Sequence, residues 1–128
     1  MKTEFAKITK FTDMVAWQEG HGLVLMIYKI TESFPKNESY GLTNQIRRAA
    51  VSVTSNLAEG FTRRTSKEKL QFFKISQGSL VEIQNQLLIA RDVKYLDVAR
   101  YAELSEQAIL VYKLLNGLLK ATRLRKYE

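Results

Sequence analysis

Apolar residues recur along this chain at alternating spacings of three and four, the period of a helix that turns one face to a core. One stripe runs through Trp17, Gly20, Val24, Ile27, Thr31 and Phe34, and a second through Leu42, Ile46, Ala49, Val53, Asn56 and Gly60. The last joins Tyr101, Leu104, Ala108, Val111, Leu115, Leu118 and Thr122. Between them Leu70, Phe73, Leu80 and Leu87 keep the period, with Gln77 and Gln84 in the same stripe. No stretch sustains an alternation of period two, so strands have no support.

The breaks between stripes carry their own signals. Pro35 lacks an amide donor and restricts the residue before it, which ends the first helix near Phe34. Gly60 reads as the C-terminal cap of the second. Thr65 and Glu68 have capping-box spacing at the start of the third, and Asp97 can cap the fourth. These signals predict helices over about 13–34, 40–61, 66–93 and 97–123. Each is about 33–40 Å long at 1.5 Å per residue. Matched lengths and short connections make an all-α, up-down-up-down antiparallel four-helix bundle, a single domain over residues 1–128.

Composition narrows the chemistry. A chain of 128 residues supports one hydrophobic core. With no Cys and a single His, disulfides, thiol catalysis, Fe–S clusters and Cys-type zinc sites are excluded. His21 stands alone, without the paired Glu-x-x-His of a di-iron bundle, so no metal is expected. No Gly-rich phosphate loop and no Ser-His-Asp grouping is present, so no catalytic residue and no cofactor is assigned. The first residues lack the apolar stretch of a signal peptide and no run is long enough to span a membrane, which points to a soluble, cytoplasmic protein. The Asn37-Glu38-Ser39 sequon is then formal only.

Two features reach beyond an isolated bundle. Ile109, Leu110, Val111, Tyr112, Leu114, Leu115, Leu118 and Leu119 cover well over half of the fourth helix, more than one core requires. Either some of them sit exposed or that helix buries a face against another subunit. Beside the apolar stripe of the second helix, Gln45, Arg48, Ser52, Ser55 and Glu59 form a polar one, the usual mark of a solvated face and alternatively a network that fixes helix register. With Glu82 and Asn56 it is expected to form a structural polar network of Gln45, Arg48, Asn56, Glu59 and Glu82, partly buried at Asn56, Glu59 and Glu82, with Gly78 admitting a neighbouring helix. A pocket built on Arg48 and Glu59 is the catalytic alternative.

Charge is the most functional-looking signal. The formal net charge is +7. In the up-down-up-down order the N-terminus, the turn between helices two and three and the C-terminus gather at one end. Residues 1–10 carry +2, residues 60–69 carry +3 and residues 120–128 carry +3, so this end holds +8 and the rest of the chain is close to neutral. Arg63, Arg64, Lys67, Lys69, Lys120, Arg123, Arg125 and Lys126 are therefore the candidate nucleic-acid-binding residues, because Lys and Arg displace counterions from phosphates whatever the base sequence. Tyr127 in the same tail could stack on a base. The alternative is that basic residues at helix C-termini complement the helix dipole and aid solubility. A protein-docking scaffold is the other class of function.

The run Tyr40-Gly41-Leu42-Thr43-Asn44-Gln45-Ile46-Arg47-Arg48-Ala49-Ala50-Val51-Ser52-Val53, continued by Ser55-Asn56-Leu57-Ala58-Glu59-Gly60-Phe61, is specific. It resembles the signature of a bacterial four-helix-bundle family named for proteins encoded within intervening sequences of 23S ribosomal RNA genes. Phe11, Met14, Trp17, Tyr28, Phe34, Pro35 and Glu38 extend the match on one side, and Ser66, Lys67, Phe72, Gly78, Ser79, Glu82 and Leu87 on the other. The resemblance implies a four-helix bundle and a ring-shaped homo-oligomer, with the pentamer the recurring form. A distantly similar protein, the accessory variability determinant of diversity-generating retroelements, is a pentamer that binds nucleic acid and a reverse transcriptase. The resemblance attaches no enzymatic activity.

Overall fold

The computed structural model describes residues 7–125. Lys126 and Tyr127 lie outside them, as do Lys2, Glu4 and Glu128. Among the described residues there is no strand, and four helices carry the fold: α1 (Val15–Thr31), α2 (Leu42–Thr62), α3 (Ser66–Asp92) and α4 (Val98–Leu124). Short 3₁₀ turns at Phe11–Asp13 and Lys36–Glu38 precede α1 and α2. Each helix packs antiparallel on its sequence neighbour, and α1 closes the square against α4. Leu23, Ile27, Ile46, Leu57, Leu80, Ile83, Leu87 and Leu115 fill the centre, all fully buried. None of the helices is long and apolar enough to cross a membrane.

Three of the four helices match expectation to within two residues at each end, and α1 is the exception. Asp13 opens no helix. Its carboxylate accepts the Thr9 and Lys10 amides at 3.0 and 3.2 Å, which closes a separate turn, and Met14 is extended before α1 begins. At the other end α1 stops at Thr31 rather than near Phe34. From there amide bonds fall back three residues, Ser33 to Ile30 and Phe34 to Thr31, so a tight turn delivers Phe34 into the core.

The predicted caps at Thr65 and Asp97 are present. Thr65 Oγ1 accepts the Glu68 amide at 3.1 Å and gives its own proton to the Glu68 carboxylate at 2.9 Å. Asp97 accepts the Arg100 amide at 2.7 Å. The α3–α4 turn closes with Lys94 at φ 70°, its amide on Arg91 O and the Tyr95 amide on Ala90 O, a Schellman turn that Lys rather than Gly occupies.

Gly60 is not a cap. It sits inside α2, where a Cβ would lie 2.5 Å from Cε1 of the buried Phe73 ring, so its bare backbone is what lets α2 and α3 meet. Gly78 reverses its expected role as well: no atom lies within 4 Å of where its Cβ would be, and no neighbouring helix approaches it. The α2–α3 seam is lined instead by small residues. The fully buried Ser76 donates to Val53 O at 2.7 Å, Ser52 and Ser79 share a bond of 2.7 Å, and Asn56 donates to Ser52 O at 2.8 Å.

At the end of the bundle formed by the α1–α2 and α3–α4 turns, Glu38 joins the two connections. Its carboxylate accepts the Leu42 amide at 3.1 Å and the Tyr95 hydroxyl at 2.8 Å, while the Tyr95 ring lies 5.4 Å from Phe34. The Leu42 amide first, and the Tyr95 hydroxyl second, hold this carboxyl below its ordinary value of 4.5. A group whose pKa falls on folding contributes stability above its unfolded value and loses it as pH drops through the folded one. Thermal unfolding followed by circular dichroism is therefore expected to move to lower temperature below about pH 4.5, more steeply for the wild type than for Glu38→Gln. Equal slopes would refute the clasp.

Candidate nucleic-acid interface

The chain path determines which charges meet. The N-terminal turn, the connection after Thr62 and the end of α4 all lie at one end of the bundle, opposite the Glu38 clasp. Proximity is visible in Lys69, whose ammonium is held below its usual range first by burial and then by repulsion from Arg125, across from it at the end of α4.

The eight candidate cations divide into two kinds. Arg63 and Lys69 are engaged by the fold. The Arg63 guanidinium lies 4.5 Å over the Phe72 ring and donates to Glu59 Oε2 at 3.0 Å. Lys69 Nζ donates to the carbonyls of Phe61 at 2.7 Å and Gly60 at 3.3 Å, satisfying the C-terminal end of α2 from the neighbouring helix. The sequence places both among the phosphate-binding candidates, and in the structure both hold the α2–α3 turn. Arg64, Lys67, Lys120, Arg123 and Arg125 are exposed, with no ion-pair partner among the described residues. Lys126 lies outside them.

The expected polar network takes a different form. Gln45, Arg48, Glu59 and Glu82 are exposed and only Asn56 is half-buried. Glu59 turns to Arg63, one turn on, and not to Asn56 or Glu82. The polar contacts of the seam are made by Ser52, Asn56, Ser76 and Ser79, which bond to one another and to backbone carbonyls and leave no carboxylate among their partners. The two arginines of the Gln-Ile-Arg-Arg run also differ. Arg47 reaches α1, donating to Thr31 Oγ1 at 2.8 Å and Tyr28 O at 3.3 Å with its guanidinium over the Tyr28 ring, whereas Arg48 points to solvent. An arginine on the α1 side of an otherwise apolar α2 stripe is the signal that could have marked Arg47 as a fastener. His21 is exposed and stacks on Trp17 at 4.7 Å.

The concave surfaces are open grooves. One of about 560 Å³ between α1 and α4 is lined by Met26, Lys29, Glu32, Arg100 and Glu103, opposite charges that offset one another. Another, about 620 Å³, lies over α2 beside Tyr28, Arg47, Arg48 and Ser55. Among the described residues no group of three or more His, Asp or Glu converges as metal ligands would.

A sequence model of the family described as 23S rRNA-intervening sequence protein matches residues 12–117. No curated protein matches. Among solved structures, a protein of unknown function from the S23 ribosomal protein family of Bacteroides thetaiotaomicron is similar over 83% of this chain and 96% of its own, at 16% identity and a TM-score of 0.76. That likeness shows the fold: four helices in the same arrangement.

Proposed function

This chain belongs to the 23S rRNA-intervening sequence protein family, and we propose that it is a non-enzymatic, self-associating bundle that binds RNA or DNA through its basic end. The observation that carries this reading is the gathering of Arg64, Lys67, Lys120, Arg123 and Arg125, from segments far apart in sequence, with no acid paired to any of them among the described residues. Dipole complementation accounts for basic residues in the last turn of a helix. It does not account for Lys67, which stands in the first turn of α3, where positive charge is unfavourable; Arg64 stands between the C-terminus of α2 and the N-terminus of α3. A phosphate backbone removes that cost and releases condensed counterions.

Among the described residues the candidate cations sit near helix ends and in the α2–α3 turn, where they reach phosphates rather than base edges, so affinity should tolerate sequence changes and depend on salt. Fluorescence anisotropy of labelled duplex RNA and duplex DNA across a salt series is the test. The expected result is binding that weakens linearly in log salt, with a slope of about −0.9 for each phosphate neutralised. Absence of binding at low salt would overturn the reading and leave a protein-docking scaffold.

Self-association belongs to the same proposal. Leu25 on α1 and Ile109 and Leu110 on α4 are left 58%, 45% and 41% exposed, so the broad apolar face of α4 is only partly used within one chain. Light scattering at micromolar concentration should give a closed oligomer, the ring-shaped pentamer being the form expected. A clean monomer would refute this part alone.

A further inference from the structure

We infer that the outer face shared by α3 and α4 continues the basic end as a track for the phosphodiester backbone of a nucleic-acid duplex, an inference that rests on the reading of that end as a nucleic-acid interface. The carrying observation is one of charge. From Lys69 to Val81 on α3, and from Gln107 to Leu124 on α4, the chain holds no Asp or Glu. Gln77 donates to Asn116 across the two antiparallel helices and puts these stretches side by side.

That bond also sets the register. Lys74 lies one turn from Gln77 and Lys120 one turn from Asn116, both toward the basic end, and Lys113 lies one turn from Asn116 on the far side. All three are exposed and none has an ion-pair partner among the described residues. From Lys113 to Arg123 the track is about 15 Å long at 1.5 Å per residue. At a rise of roughly 3.4 Å per phosphate along the duplex axis, about five successive phosphates of one strand span that length.

The surface between these lysines is bare. Gly78 follows Gln77 and Gly117 follows Asn116, both are exposed, and neither has an atom within 4 Å of the position a Cβ would take. A glycine inside a helix costs about 1 kcal/mol relative to alanine, and here no packing within the chain requires either one. Bare backbone beside lysines allows a bulky polyanion to approach closely. A second copy of the same face would set lysines against lysines, which disfavours it as the occupant. Phe72 and Tyr112, the aromatic residues of these stretches apart from the buried Phe73, are half-buried and offer no stacking platform. Backbone contact with a duplex therefore fits better than capture of unstacked bases. Glu82, one turn beyond Gly78, ends the track.

The test compares K74Q/K113Q and G78Q/G117Q with the basic-end variant R64Q/R123Q, using a labelled RNA duplex two helical turns long. K74Q/K113Q should weaken binding by roughly tenfold or more near 0.1 M salt and make the salt slope shallower by about 2. G78Q/G117Q should weaken binding while raising the thermal midpoint, a pairing that misfolding cannot produce. A wild-type slope in K74Q/K113Q, with R64Q/R123Q impaired, would overturn the track and leave the basic end standing. No binding by the wild type would remove the basic-end reading and the track together. A change in molar mass by light scattering that accompanies the lost affinity would assign the face to contact between copies and overturn the track.

Discussion

Gly60→Ala is expected to destabilise the bundle by about 2 kcal/mol, although alanine is the better helix former by about 1 kcal/mol. The added methyl would stand 2.5 Å from Cε1 and 2.8 Å from Cδ1 of Phe73 and 3.1 Å from Cβ of Phe72. Phe73 is 2% exposed, so its ring has nowhere to turn and the α2–α3 seam must open. Gly78→Ala and Gly117→Ala, made in open space on the same fold, should instead gain about 0.5–1 kcal/mol each. Urea unfolding at one fixed protein concentration reads all three. Shortening the ring relieves the clash, so Phe73→Leu should cost less in the Gly60→Ala background than alone, a coupling that a double-mutant cycle measures. A neutral or stabilising Gly60→Ala would show that the seam is looser than this geometry.

The second large effect separates cations that bind from cations that fold. Replacing Arg64, Lys67, Lys120 and Arg123 by Gln should lower duplex affinity by roughly two to three orders of magnitude near 0.1 M salt and flatten the salt slope by about 4, with unfolding little changed. Lys69→Gln removes donors from the carbonyls of Gly60 and Phe61, and Arg63→Gln removes the contact with Glu59 and Phe72. Those two should move the unfolding midpoint, by about 0.5–1.5 kcal/mol each, and leave the slope near that of the wild type. A reversed pattern, with slope loss in the Arg63 and Lys69 variants and none in the quadruple one, would refute the assignment.

Much of this was legible in the residues. The 3-4 spacing and the breaks at Pro35, Thr65 and Asp97 locate four helices, because periodicity and caps are local properties. The resemblance carried by residues 40–61 agrees with the family match over residues 12–117. Charge counting by segment found the basic end, since the order of four antiparallel helices dictates which turns share an end.

The misses have one physical cause. On α3 the stripe written through Gln77 and Gln84 passes beside the true one, which includes Ser76, Ser79 and Gln86, all buried. Serine reads as solvent-facing until a partner such as Val53 O is near enough to satisfy its hydroxyl. Glu59 and Glu82 look like network members in sequence because they lie beside the apolar stripes, yet both are exposed and Glu59 pairs with Arg63 on its own helix. Lys74 and Lys113 attract no notice in the chain, as each is a single charge on a helix, and become a pair only through the Gln77–Asn116 contact.

By itself, then, the sequence determined the helices, their order and the end at which positive charge collects, because backbone propensity, apolar period and chain connectivity suffice for those. Tertiary structure alone decided that Gly60 is a contact and Gly78 a bare surface, that Lys69 caps a helix while Lys67 faces solvent, and that Arg47 fastens α1 while Arg48 does not. Each of those distinctions depends on what lies across the space between two helices, and residues of one type at adjacent phases differ only there.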